Sequence, residues 1–112
     1  MKKIEAIIRP HKLDEIHNNL LESGFTGLTV TEVRGYGRQK GHKEIYRGSE
    51  YNIEFVPKLK LELICQSEQL EQAISIIVNS AKTGEVGDGK IFVSSLEEVI
   101  RIRTEESGVS AI

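Results

Sequence analysis

The sequence predicts an α+β sandwich in which two helices pack on one face of a small sheet. Three observations carry that prediction. The stretch "KLKLELIC" (58–65) alternates apolar and charged residues as a half-buried strand does. Two other stretches, "LDEIHNNLLESG" and "SEQLEQAISIIVNSAKTG", place apolar residues at helical spacing and end in glycine. The segments follow one another as β-α-β-loop-β-α-β, the split βαβ order of ferredoxin-like domains.

Taken in chain order, "KIEAIIRP" is read as a strand with Ile4, Ala6 and Ile8 on one side and Ile7 on the other. Pro10 closes it, because proline cannot donate to a ladder. The first helix uses Leu13, Ile16, Leu20 and Leu21 as its apolar stripe, and Gly24 supplies a left-handed stop. "LTVTEVRGYG" is rich in β-branched residues and runs into two glycines as the second strand. The third strand, "KLKLELIC", faces Leu59, Leu61, Leu63 and Cys65 one way and Lys58, Lys60, Glu62 and Ile64 the other. In the second helix Ser67 is the expected N-cap, Leu70, Ala73, Ile74 and Ile77 form the stripe, and Gly84 is the expected stop. "KIFVSSL" reads as the fourth strand and "VIRIRT" as a short fifth, after which "EESGVSAI" frays. With both helices on one face, the other sheet face is uncovered. Ile7 and Ile64 lie on it among charges, so burial by other copies of the chain is expected.

Composition bounds the function. A chain of 112 residues, 38% hydrophobic and 29% charged, makes one domain (1–112) with a modest core. A formal net charge of −2 argues against a general nucleic-acid binder or a body that clings to anionic membranes. The single Cys65 excludes a disulfide framework and fits a reducing compartment. "MKKIEAIIRP" reads as neither a secretory signal nor a spanning helix, so cytosol is the expected location.

Three features could carry chemistry. The short glycine-rich loop 82–90 contains "TGEVGDGK", whose Gly84, Gly89 and Lys90 match the first part of a phosphate-binding P-loop. Ile91 stands where a P-loop has its magnesium-binding Ser or Thr, and this turn runs from helix to strand, the reverse order. What survives is a cluster of glycines whose amides can converge on an anion, with Lys90 beside them; an ordinary tight turn is the alternative. In the C-terminal segment 97–112, period two would put Arg101 and Arg103 on one face about 7 Å apart, a spacing that suits a polyphosphate or a solvated edge. The long loop 37–55 has no defensible period. From Arg34 to Arg47 this loop and its approach hold Arg34, Arg38, Lys40, Lys43 and Arg47 against one acid, Glu44, in a chain that is acidic overall. Loops of this length in compact domains are functional or mobile more often than ornamental.

"VTEVRGYGRQKGH", "YRGSEY", "TGEVGDGKIFV" and "VIRIRT", in this order and spacing, closely resemble the PII nitrogen-regulatory signal-transduction proteins. The resemblance spans almost the whole chain. It implies a ferredoxin-like subunit assembled as a homotrimer with nucleotide sites between subunits, and a sensor in place of a catalyst. ATP and ADP are the implied competing effectors, and 2-oxoglutarate joins ATP with Mg2+. By position, Gly87, Asp88, Gly89 and Lys90 match the phosphate-binding turn, and Gly37 and Arg38 match the loop base near the phosphates. Arg101 and Arg103 match residues that reach the phosphates from a neighbouring subunit, while Thr29, Glu62 and Ile64 match positions around the adenosine. Gln39 matches the residue that binds the magnesium chelated by 2-oxoglutarate. Lys40, Gly41 and Gly87 match its surroundings, and Lys58 matches the cation that pairs with its distal carboxylate.

The implied partners are ammonium transporters, N-acetylglutamate kinase and enzymes that modify the loop. Effectors at the loop base would shift which loop conformations are populated, and partners preferring one state would alter effector affinity reciprocally. Tyr51 matches the tyrosine uridylylated in many bacterial members and Ser49 the serine phosphorylated in some cyanobacterial ones. "RGSEY" with "TGEVGDGK" resembles the cyanobacterial and plastid type, which extends the expected location to plastid stroma. Glu105 departs from the family, which commonly has glycine there, and His11 stands where an aromatic is common. Two rivals are a nucleotide-hydrolysing or phosphoryl-transfer enzyme and an RNA-binding module. No Ser/Thr follows Lys90 for the first, and no aromatic platform stands in the central strands for the second.

Overall fold

The computed structural model describes residues 1–36, 43–46, 49–52 and 55–112, with side chains for 1–35 and 55–112. Strand β1 (Lys2–Ile8) ends just before Pro10, which opens a 3₁₀ turn (Pro10–Lys12) leading into helix α1 (Leu13–Glu22). Strand β2 (Thr29–Tyr36) is followed by β3 (Lys43–Tyr46) and β4 (Ser49–Asn52). Strand β5 (Phe55–Cys65), helix α2 (Leu70–Ala81) and strand β6 (Lys90–Ser95) complete the regular elements. The main sheet has the order β2-β5-β1-β6, and every neighbouring pair is antiparallel. This is the predicted α+β, ferredoxin-like arrangement.

The alternation read in β5 decides the two faces. Leu61, Leu63 and Cys65 are buried and join Ile4, Ala6 and Ile8 of β1 to form the sheet half of the core. Ile16 and Leu20 of α1 and Ala73 and Ile77 of α2 supply the other half. Full burial of each such Ile or Leu contributes about 1.5–3 kcal/mol, which is enough to fix the helices to this face. Cys65 is a small core residue, 1% exposed, and His11 lies on the surface, both as expected.

Helix α1 stops as predicted: Gly24 N–H donates to Leu21 O (3.0 Å) and Phe25 N–H to Leu20 O (2.9 Å), the paired bonds of a Schellman ending. Helix α2 departs from expectation at both ends. It begins after a 3₁₀ turn (Ser67–Gln69), where the Gln69 side chain accepts from Gln66 N–H at 3.1 Å, so the cap is built by glutamines and not by Ser67. It ends at Ala81, three residues before Gly84, because Lys82 is extended and the next amide, that of Thr83, bonds the Asp88 carboxylate.

Two further expectations need correction. The 37–55 stretch is not without strand structure: β3 and β4 pair antiparallel, Lys43 opposite Asn52 and Tyr46 opposite Ser49. Charged and polar residues mask period two here, and the two strands form a sheet of their own. "VIRIRT" is not a strand. One isolated bridge joins Ile100 to Ser107, and the chain then reverses through a turn closed by Glu105 N–H to Arg101 O (2.8 Å) and Arg101 N–H to Glu106 O (2.9 Å). The segment makes its hydrogen bonds within itself, so period two has no ladder to act on. Gly37, Arg38, Gln39, Lys40 and Gly41 lie outside the described residues, as do the side chains of Ser49 and Tyr51.

Candidate functional site

The turn between α2 and β6 is assembled around one carboxylate. Asp88 Oδ2 accepts from the Thr83 and Gly84 amides, each at 2.9 Å, while Oδ1 accepts from the Thr83 hydroxyl and from Arg9 Nε at 3.2 Å. The bond from the Thr83 hydroxyl, then that from the Thr83 amide, hold the Asp88 carboxyl far below its ordinary range, so it stays ionised. Arg9 also donates through Nη2 to Val86 O at 2.9 Å. The carboxylate that the sequence placed among phosphate ligands is thus occupied in shaping the turn, which leaves the backbone and Lys90 for an anion.

Gly89 joins this turn to the sheet. A Cβ built at position 89 would lie 1.7 Å from Ile7 O, and the residue has φ +104°, so both contact and conformation require glycine. That approach lets Lys90 start β6 opposite Ile7, with its side chain exposed at the open end of the turn.

Lys58 reaches the same turn from β5. It stands opposite Val33 on the face away from the helices, is 7% exposed, and donates from Nζ to Gly87 O. Its stem runs close past β2, where a Cβ at Gly35 would sit 3.0 Å from Lys58 Cγ. Burial, followed by the nearby Arg9 charge, lowers the Lys58 pKa; the Asp88 charge opposes the shift. A buried ammonium bonded to a peptide carbonyl offers its remaining donors to an incoming carboxylate.

A second group lies further along β5. Thr29 pairs with Glu62 across β2 and β5, and these residues with Ile64, Arg101, Val109 and Ile112 line an open pocket of about 710 Å3. Glu62 is oriented by Lys3 Nζ at 3.1 Å, which also contacts Glu5 at 3.6 Å; Lys60 reaches Glu5 at 3.8 Å. Glu5 and Glu62 are direct cross-strand neighbours, and Lys3 offsets their repulsion. The Glu62 hydrogen bond and the two carboxylate charges raise the Lys3 pKa. Arg101 is half-buried at the pocket, held by Glu106 Oε1 at 3.5 Å and Ile112 O at 3.4 Å, long contacts that leave the guanidinium free to turn. Arg103 is exposed beyond it.

The structure therefore collects the sequence-predicted residues into two sets. Gly87, Asp88, Gly89 and Lys90 gather with Lys58 at one end of the sheet, while Thr29, Glu62, Ile64 and Arg101 gather at the other. Lys58 and Glu62 are four residues apart on an extended strand, about 13 Å. Sequence reasoning missed Arg9, Thr83 and Lys3. Arg9 had one signal, its place between a strand and Pro10, but its partner lies 79 residues away. Ile91, which occupies the P-loop's hydroxyl position, packs against the core and removes the metal ligand that a P-loop enzyme needs.

Comparison with known proteins identifies the family of the chain. A family model described as nitrogen regulatory protein P-II matches residues 1–106. The chain is 60% identical to a nitrogen regulatory protein P-II from Rhizobium meliloti (strain 1021), 59% to one from Bradyrhizobium diazoefficiens and 58% to one from Pasteurella multocida (strain Pm70), in each case over all 112 residues and the full length of both chains. With its sheet order, its glycine-rich turn and its full-length relatives in agreement, the chain belongs to the nitrogen regulatory protein P-II family.

Proposed function

We propose that the protein is a non-catalytic sensor of nitrogen, carbon and energy state that binds ATP or ADP and, with Mg2+ and ATP, 2-oxoglutarate. The observation that carries this reading is the joint construction of Lys58 and the 83–90 turn: a buried ammonium for a dicarboxylate touches the loop whose backbone and Lys90 suit phosphates. Lys58 takes the distal carboxylate, beside Gly87, Lys40 and Gly41, and Gln39 carries the magnesium. Gly37, Arg38, Gly87, Gly89 and Lys90 serve the phosphates, with Asp88 shaping the turn.

The separation of the two sets along β5 supports a homotrimer. Thr29, Glu62, Ile64, Arg101 and Arg103 of one copy would meet the phosphate turn of the next, so that adenosine and phosphates sit between subunits. Effector binding at the loop base selects among conformations of the loop carrying Ser49 and Tyr51, and the loop acts on ammonium transporters, N-acetylglutamate kinase or loop-modifying enzymes in the cytoplasm. Phosphorylation at Ser49 or uridylylation at Tyr51 would add negative charge among Lys43, Arg47 and Arg38 and change the fit to those partners. No observation favours a nucleotide-hydrolysing enzyme.

The test is calorimetric titration of 2-oxoglutarate with and without Mg-ATP. Binding is expected only with Mg-ATP, and nucleotide-independent binding refutes the sensor reading. Gln39→Ala is expected to lower 2-oxoglutarate affinity by at least about a hundredfold while ATP affinity changes less than about fivefold. Unchanged 2-oxoglutarate binding in that variant refutes the role of Gln39.

A further inference from the structure

We infer that Arg9 is a positioning residue of the phosphate turn: from the end of β1 it grips the turn at two points and neutralises Asp88, which would otherwise repel a bound polyphosphate. The inference rests on the nucleotide reading for its ligand and on this structure for its geometry.

Arg9 is well placed for the task. It follows Ile8, which is 2% exposed in the core, and precedes Pro10, so its backbone is fixed by burial on one side and by a rigid ring on the other. Its guanidinium then spans the turn. Nε meets the Asp88 carboxylate at 3.2 Å and Nη2 meets Val86 O at 2.9 Å, two contacts that a planar fork makes together and a single ammonium does not. Asp88 passes the restraint on, since the same carboxylate holds the Thr83 and Gly84 amides.

The electrostatic part follows from position. Asp88 lies between Gly87 and Gly89, two residues before Lys90, and it is ionised. An anion brought to these backbone amides meets a fixed negative charge at close range. The Arg9 cation, one hydrogen bond from that charge, cancels most of it. Lys58 approaches the same turn from β5 and feels the Asp88 charge, but it bonds the Gly87 carbonyl, and among the described contacts Arg9 is the cation paired directly with the Asp88 carboxylate.

The experiment is a double-mutant cycle on ATP affinity, using Arg9→Met, Asp88→Asn and the pair, with Arg9→Lys as the conservative variant. Arg9→Met is expected to weaken ATP about tenfold in the native background but less than about threefold once Asp88 is Asn, and Arg9→Lys is expected to recover part of the loss. An equal loss in both backgrounds overturns the inference, because Arg9 would then act without Asp88; so does the absence of any loss. Hydrogen exchange separates this claim from the nucleotide reading. In Arg9→Met without ligand, the Thr83 and Gly84 amides are expected to exchange at least about tenfold faster while those of Ile4 and Leu61 keep their protection. If the native protein binds no ATP, the nucleotide reading falls, and unchanged exchange at Thr83 and Gly84 then overturns the tether as well.

Discussion

Glu105 has φ +60°, a left-handed conformation in which Glu is strained. The turn at 102–105 demands it, since Glu105 N–H must reach back to Arg101 O. The turn is kept with a glutamate, which bears a strain that glycine at the same φ would not. Relief of about 1–2 kcal/mol in the folded state is partly offset by about 0.4–1 kcal/mol of extra freedom in the unfolded chain. Glu105→Gly is therefore expected to stabilise the protein by about 0.5 kcal/mol, read as a higher urea midpoint with an unchanged slope. A lower midpoint would show that Glu105 makes a compensating interaction. Lys58 teaches a related point: its place on the strand is legible in the sequence, but its burial is not, because alternation alone places it on the open face.

At the scale of elements, the turn from α2 to β6 shows why a motif match can fail while its physics survives. The P-loop spacing of Gly84, Gly89 and Lys90 arises from other demands here. Gly89 exists to pass Ile7 O, and Asp88 to hold Thr83 and Gly84. Gly89→Ala places a methyl within 1.7 Å of that carbonyl and must push β6 off β1. Strain and overpacking together predict a loss of at least about 2 kcal/mol in chemical denaturation. A variant as stable as the native protein would mean the turn can retreat without cost. The "VIRIRT" segment is the opposite case. Its alternation is as regular as that of β5, yet it forms a turn, because strand structure requires a neighbour and the main sheet ends at β6.

For the whole molecule, the open sheet face is the feature that a single chain leaves unresolved. Ile7 and Ile64 lie on it half-buried, Phe92 is 54% exposed, and the Lys3–Glu62 and Lys60–Glu5 pairs run between them. The proposed trimer covers this face. Sedimentation is expected to give three times the mass of one chain, and Ile7→Glu is expected to weaken assembly at least about tenfold. Ile7 stands opposite Lys60 and Lys90, so the new carboxylate finds partners within one chain and the monomer fold survives. A native protein that sediments as a monomer would refute the assembly.

The amino-acid sequence by itself determined the order of the elements of the main sheet, the faces of β1, β5 and α2 that enter the core together with Ile16 and Leu20 of α1 (though not Leu21, which is exposed), and the presence of a glycine-rich turn between α2 and β6. Those properties follow from the period and local chemistry of a few neighbouring residues. Its order and spacing of motifs also carried the resemblance to the P-II family that full-length relatives bear out. Tertiary structure alone decided that Asp88 serves the turn, that Arg9 holds Asp88 from 79 residues away, that Lys58 is buried against Gly87, and that Lys3 orients Glu62. The bonds of Asp88 to Thr83 and Gly84 lie within one turn, whereas the other three are contacts between elements distant in sequence, set by strand register and by how closely Gly89 lets two backbones approach. No periodicity within one element encodes such a contact; packing the helices and strands into a single sheet-and-helix layer does.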